Sequence, residues 1–327
     1  MLDTVRDGNP RHFVFVLLPN FSLLSLAGAL DALRLSNHIA GHPLYSWTLT
    51  ADGGGTATGA AGATFVLDGD LPQTHRDDTI VLVSGVDVKN AASKRLIAWL
   101  RREARNAVPI AGLCTAAHVL GQAGLLDGKR ATIHWENYNG ILEAFPDIEL
   151  TRSVYTIDGK IMTSAGGTAA IDLMLHIVAQ HQGDAFAGIV ADQMIYSSIR
   201  TDRDSQRLSI PARIGVRHPR LSAVIEAMEE TIEEPVSPSL LAADVGMSTR
   251  QLERLFRRYL NRSPKRYYME LRLTRARNLL MQTDMSIIDI ALACGFTSPS
   301  HFSKCYRAMY QTTPYRERGA QGSTKAS

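Results

Sequence analysis

Leu240 to Leu260 reads LLAADVGMSTRQLERLFRRYL, and Ile287 to Tyr310 reads IIDIALACGFTSPSHFSKCYRAMY. The two stretches are one module written twice. In each, a short apolar helix ends at a glycine (Gly246, Gly295), one hydrophobic residue follows (Met247, Phe296), and a serine precedes a second helix. Two helices joined by a tight glycine turn form a helix-turn-helix, whose second helix can lie in a DNA major groove. Ser248 stands three residues before Gln251, the spacing of a capping box. Ser298 followed by Pro299 marks an equally clear helix start.

The helical period turns Leu252, Leu255, Phe256 and Tyr259 inward and leaves Arg250, Gln251, Arg254, Arg257 and Arg258 outside. In the second copy Phe302, Cys305, Tyr306 and Met309 are expected inside, with Ser300, His301, Ser303, Lys304 and Arg307 outside. Leu240, Leu241, Ala243 and Val245 are expected to pack the first scaffold helix. The candidate DNA-binding residues are Ser248, Arg250, Gln251, Arg254 and Arg257 in the first copy, and Ser298, Ser300, His301, Ser303, Lys304 and Arg307 in the second. Early residues of each helix are assigned to base edges and later basic ones to phosphates. Between the copies, Tyr267 to Thr283 is expected to be a long helix that fixes their separation, with Arg272, Arg275 and Arg277 able to hold acidic groups of the same unit.

Charge supports this division of labour. The net charge is +3, but residues 1–216 carry 18 Lys and Arg against 21 Asp and Glu, whereas 217–318 carry 16 against 11. Within 248–277 ten basic residues face two acidic ones, a density suited to a polyanion. The apolar run Phe13 to Leu18 ends at Pro19, too short to cross a bilayer, and no cleavable signal pattern follows; a cytosolic protein with no membrane partner is expected. Cys114, Cys294 and Cys305 fit neither a disulfide framework nor a zinc cluster, so neither a metal nor another cofactor is expected.

The first 200 residues alternate strand and helix. His12–Pro19, Thr79–Gly85 and Val108–Ala111 are expected as buried strands, and Tyr45–Thr50 and Thr64–Leu67 as shorter ones around Gly53–Gly55. Helices follow at Leu26–Leu33, Ala91–Arg105, Ala169–Ala179 and Ala185–Ile195, with a hairpin of Glu149–Tyr155 and Lys160–Thr163 around Asp158-Gly159. This order implies a mostly parallel sheet covered on both faces. Gly112 to Ala117 suits a sharp strand-to-helix turn that places Cys114 near a helix N-terminus, where a thiolate is favoured. His134, in TIHWENY, could serve it as a base, yet no third group to orient the base is evident. Gly166-Gly167 ahead of the next helix could offer backbone donors to an anion. Thr201–Gly215 is expected to connect the two units.

From about His218 to Arg316, including IALACGFTSPSHFSKCYR and the following TTP, the chain resembles the AraC/XylS regulator domain. That resemblance implies a seven-helix double helix-turn-helix that binds promoter DNA, contacts RNA polymerase and usually activates transcription. Residues from about 12 to 200 resemble the PfpI-type, class I glutamine-amidotransferase-like domain of the GlxA-type branch. The implied fold is α/β, a flavodoxin-like parallel-sheet sandwich, followed by an all-α domain. The implied domains are an effector-sensing and dimerising unit (1–200), a linker (201–216), a DNA-binding unit (217–318) and a disordered tail (319–327).

Cys114 and His134 match the family's nucleophile and its partner, the only catalytic candidates were the chain an enzyme. Where enzymatic relatives carry an acid after the first strand, Ser25 stands here, with Asp31 as a poorly placed substitute. A retired enzyme acting as a sensor is expected; a Cys-dependent amidase or hydratase fused to a DNA-binding module, or a repressor, is the alternative. HWENY, SAGGTAAIDLML, RQLERLFRRYL and SPKRYYMELRLTRARNLL look most like regulators of arginine, carnitine and glycine betaine catabolism. Such effectors join a cation to a carboxylate, and Phe21, Cys114, Thr115, His134, Trp135, Gly166 and Gly167 are the residues expected to hold one, in a homodimer.

Overall fold

The structure, a computed structural model, describes residues 10–323. It divides into two compact units at Gln206/Arg207, inside the expected connection. In the first, strands β1 (Arg11–Leu17), β2 (Tyr45–Thr50), β3 (Thr56–Thr58), β4 (Thr64–Val66), β5 (Thr79–Val83), β6 (Ile110–Leu113), β7 (Arg130–Ala131), β8 (Glu149–Leu150), β9 (Tyr155–Asp158) and β10 (Ile161–Ser164) alternate with helices α1 (Leu23–Ala40), α2 (Lys94–Arg105), α3 (Ala116–Gln122), α4 (Tyr138–Ala144), α5 (Ala169–Gln182) and α6 (Asp184–Gln193).

The main sheet has the order β2-β1-β5-β6-β10-β9, parallel except for β9. Its parallel part is the flavodoxin-like arrangement, in which the chain turns back across β1 and ligands gather at the carboxyl ends of the strands. Strand residues sort by parity, as a two-sided buried sheet requires. Phe13, Phe15, Leu17, Val81, Val83, Ala111 and Leu113 pack with α1, α5 and α6, while Val14, Val16, Ile80, Leu82 and Ile110 pack with α2 and α3.

Two strand expectations are corrected. The hairpin arms are Tyr155–Asp158 and Ile161–Ser164; Glu149–Leu150 pairs with Arg130–Ala131 instead. The segment from Thr64 pairs only with β3, as a small separate ribbon. Beside the hairpin turn the Asp158 carboxylate ties β9 to β7: it accepts from the backbone N–H of Arg130 and from Lys129, which holds its pKa below the usual range.

The second unit is helical: α7 (Ile210–Ile214), α8 (Pro219–Glu230), α9 (Pro238–Asp244), α10 (Thr249–Leu260), α11 (Pro264–Gln282), α12 (Ile287–Ala293), α13 (Pro299–Tyr310) and α14 (Pro314–Ser323). It has two cores. Leu221, Val224, Ile225, Met228, Leu241, Leu252 and Phe256 form the first; Ile290, Ala291, Cys294, Phe296, Phe302 and Tyr306 form the second. Helix α11 belongs to both, giving Tyr268 to one and Leu273, Ala276, Leu279 and Leu280 to the other.

Of the residues expected to pack the first scaffold helix, Leu241 is buried and Val245 packs against the core, but Leu240 and Ala243 are exposed and Ala242 is buried instead. Met309 is likewise 38% exposed rather than inside, because Phe302 and Tyr306 already fill the space above α11. Residues 319–323 of the expected tail continue α14; 324–327 lie outside the described residues.

Gly246 and Gly295 both have left-handed backbone, φ 64° and φ 72°, as the turn demands. Their surroundings differ. A Cβ on Gly246 would meet nothing within 4 Å, whereas one on Gly295 would lie 2.6 Å from the Ile232 carbonyl oxygen and from Pro235. Gly246→Ala is therefore expected to cost about 1 kcal/mol, the left-handed penalty alone. Gly295→Ala should cost about 3 kcal/mol or more, since backbone must also move. Paired thermal melts check the order; equal losses would show that the turn, not the Ile232 contact, sets the constraint.

Candidate functional site

Cys114 sits between β6 and α3 with φ 63°, a left-handed backbone that a non-glycine residue adopts only when its surroundings impose it. Three contacts impose it. The Cys114 N–H donates to Ser164 O at 2.9 Å, and its carbonyl accepts from the His134 N–H at 3.3 Å. Gly166 lies so close that an added Cβ would be 2.4 Å from Cys114 Cβ. Thr115 is pinned behind it, its hydroxyl donating to Gly85 O at 2.6 Å. Phe21 is tied to the same corner by a bridge to Gly85. The elbow therefore brings Phe21, Cys114, Thr115, His134, Gly166 and Gly167 into one neighbourhood, with Trp135 beside His134 at 5.7 Å between ring centroids.

The chemistry of these groups differs from the expectation. Burial pushes the Cys114 thiol up to about 11, against a smaller lowering by the Thr115 N–H, and Glu136 pushes it further up. At neutral pH the group is a thiol, not the thiolate expected from the helix start. His134 is held below the ordinary imidazole range by burial, and its Nδ1 is 3.9 Å from Glu136 Oε2, beyond hydrogen-bond reach. Ser25 is fully buried; its hydroxyl donates to Ser22 Oγ at 2.9 Å and accepts from the Gly167 N–H at 2.8 Å. The Gly166 N–H donates to Ser164 Oγ at 3.2 Å. Both glycine donors expected to receive an anion are thus engaged within the protein. Asp31 is no substitute acid, since it lies on the exposed side of α1 paired with Arg34.

The two aromatic candidates part ways. Phe21 is fully buried, edge-on to Phe65, and shapes the wall without presenting a face. Trp135 is 39% exposed, so its ring is not part of the core. A separate cavity of about 450 Å³ lies at the ends of β1 and β2, where Asp52, bonded to Ser93 and Arg95, meets Asn20, Thr56 and Thr58.

In the second unit, Ser248 accepts from the Gln251 N–H while the Gln251 side chain accepts from the Ser248 N–H, so the expected capping box is formed. Ser298 caps α13 in the same way, accepting from the His301 N–H. The side chains of Ser248, Gln251 and Ser298 are thereby spent on starting their helices. What remains outside is a matched pair of stripes. Arg250, Arg254 and Arg257 stand two, six and nine residues after the first capping serine, and Ser300, Lys304 and Arg307 stand at the same offsets from the second. All six are exposed. His301 is exposed beside Cys305, and Ser303 is half-buried.

Most of the basic residues on α11 are accounted for inside the unit. Arg272 donates to the carbonyls of Cys294 and Gly295 at 2.8 and 2.7 Å and lies over the Phe296 ring at 4.1 Å, closing the end of α12. Arg277 pairs with Glu317 at 2.6 Å, as expected of an internal ion pair. The carbonyl role of Arg272 was not legible, because a chain end seeking donors leaves no mark in residue spacing.

Residues 11–180 match the DJ-1/PfpI family and residues 241–320 match a helix-turn-helix domain. The chain is 39% identical to the HTH-type transcriptional regulator GbdR of Pseudomonas aeruginosa over 97% of its own length and 86% of the relative's. It is 41% identical to the HTH-type transcriptional regulator CdhR of the same organism, over 94% and 91%. Among solved structures, an AraC family transcriptional regulator from Pseudomonas putida superposes with a TM-score of 0.52 at 26% identity, covering 57% of this chain and all of that one.

A protonated, buried Cys114 should react slowly with iodoacetamide at pH 7.5. The rate is expected to climb steeply between pH 9 and 11, as the thiolate forms; a rate already at its plateau near neutrality would contradict the burial argument.

Proposed function

The chain belongs to the AraC/XylS-type transcriptional regulators that carry a DJ-1/PfpI-like first domain, and from that premise we propose that it activates a catabolic operon in response to a small cationic carboxylate bound at the Cys114 elbow. It is an HTH-type regulator rather than an enzyme. The observation that carries the DNA-reading surface is the pair of stripes at identical offsets from two capping serines. Each recognition helix presents one polar row, i, i+4, i+7, on a face free of core contacts. Arg250 and Ser300, nearest the helix starts, are assigned to base edges, and Arg254, Arg257, Lys304 and Arg307 to phosphates or guanines. The shared helix α11 sets the distance between the two reading heads.

The effector reading is supported by the elbow. Trp135 offers a partly exposed ring and Glu136 an acidic side chain that is 52% exposed, a pairing suited to a guanidinium or quaternary ammonium group. His134, Thr115 and Cys114 form the floor beside them. Arginine, carnitine and glycine betaine are the effectors that the resemblance implies. A homodimer formed through the first unit, contact with RNA polymerase and a cytoplasmic location complete the proposal. No helix among the described residues is long and apolar enough to cross a membrane.

Two experiments test these assignments. Arg250→Ala should relax base preference at one position, by about 1–3 kcal/mol. Arg257→Ala should weaken binding to all sequences alike and reduce the salt slope by about 1. Identical behaviour of the two variants would refute the split between bases and phosphates. For the effector, thermal shift of the full-length protein with arginine, carnitine and glycine betaine should single out one ligand. Trp135→Ala should lose that shift and the reporter response while keeping its DNA affinity, and an undiminished shift would move the site away from the elbow.

A further inference from the structure

Beyond α6, residues 196–206 do not hang free between the units; they are laced across the first unit at three places. At the near end, Asp172 of α5 is fully buried and accepts from Tyr196 Oη, from the Arg200 N–H and from the Arg200 guanidinium at 2.6 Å. The same guanidinium reaches Thr168 Oγ1 at 2.8 Å, one residue beyond Gly167. In the middle, Thr201 and Asp204 close a turn on each other, and the Asp204 carbonyl accepts from the Val154 N–H. At the far end, the Gln206 amide donates to Thr132 Oγ1, Ile133 O and Ser153 O at 2.8, 2.9 and 3.1 Å.

Both ends of this segment hold a wall of the elbow. Arg200 grips the turn Gly166–Thr168, and Gln206 grips Ile133, the neighbour of His134. Residue 207 then opens the second unit, where Arg207 and Arg213 pair with Glu229 of α8. The chain passes from a residue bonded into one unit to a residue bonded into the next across a single peptide bond.

We propose that residues 196–206 are a strap that senses the elbow, with Arg200 and Gln206 as the positioning residues that couple effector occupancy to the DNA-binding unit. The proposal rests on the elbow reading above. A ligand can shift the strap only by binding its two states unequally. Thr168 and Ile133 connect the elbow to the strap, because neither moves without changing the bonds that Arg200 and Gln206 make. The Gln206 hold is also conditional. Its amide nitrogen, with two hydrogens, serves three oxygens, so the contacts are shared and the hold is suited to release.

Gln206→Glu is nearly isosteric and removes the donors; Arg200→Gln removes the charge and the reach to Thr168. Arg203→Gln takes a charge from the exposed part of the same segment and serves as control. DNA affinity of each full-length variant is measured with and without arginine, carnitine and glycine betaine, beside thermal unfolding and hydrogen exchange of residues 196–206. Strap release predicts that Gln206→Glu and Arg200→Gln change the effector-free DNA affinity at least about fivefold, the lower end of ordinary coupling. The three compounds should then add no further change, while Arg203→Gln behaves as wild type. Effector-free affinity and response both unchanged in Gln206→Glu and Arg200→Gln, despite faster exchange in the strap, would overturn the proposal. If no compound acts on the wild type, the effector assignment falls, and the effector-free affinities still decide the strap.

Discussion

The left-handed backbone at Cys114 is the constraint on which the first unit turns. A side chain can be held at φ 63° only if its neighbours make every alternative worse. Here the neighbours are backbone: the Ser164 carbonyl in front, the His134 N–H behind and a glycine at van der Waals limit beside it. Those three belong to the strand beside β6, to the loop after β7 and to the entrance of α5. The elbow therefore ties together segments more than fifty residues apart, and any ligand that perturbs it acts on all of them at once. The order of the parallel strands, with β6 near the centre of the sheet, supplies the rigid base for that turn.

The second unit solves a different problem, holding two small cores at a fixed separation. Neither core is large enough to bury its helices well alone, and α11 lends a face to each. Nineteen residues of helix span roughly 28 Å, long enough to contribute to both cores. Arg272 adds a second tie between α11 and the end of α12, so the reading helix α13 starts from a fixed point. Spending one arginine on two carbonyls leaves the stripes of α10 and α13 as the outward charge that can meet phosphates.

Legibility in the sequence followed the range of each interaction. The capping box and the second serine cap, the glycine turns, the buried strands and the stripes were readable because each depends on residues within a few positions of one another. The elbow was readable from small residues around Cys114, and its partners from resemblance. What could not be read was set by distant or mutual contacts. Ser25 filling the donor of Gly167 is a contact across 142 positions, and the buried thiol depends on packing that no local pattern records. Leu240 and Ala243 of α9 were misplaced because four consecutive positions, Leu240 to Ala243, are apolar, so periodicity alone did not choose among them. The strap escaped notice for the opposite reason: its Arg, Asp, Ser and Gln look like solvent-facing connection, and only the structure shows Asp172 waiting beneath them.

The neutral elbow suits the sensing role proposed for it. An acid placed to orient the histidine would stabilise its imidazolium form, favouring a thiolate–imidazolium pair and with it turnover. Ser25 instead joins the Gly167 N–H to Ser22 in a neutral hydrogen-bond chain, and Cys114 remains protonated. Interaction with a bound molecule is then not diverted into a transition state. It remains available as a difference in affinity between two arrangements of the protein, which is the quantity a switch needs. A neutral group at a strained turn is well fitted to that use, because the turn is pinned by segments from several parts of the unit.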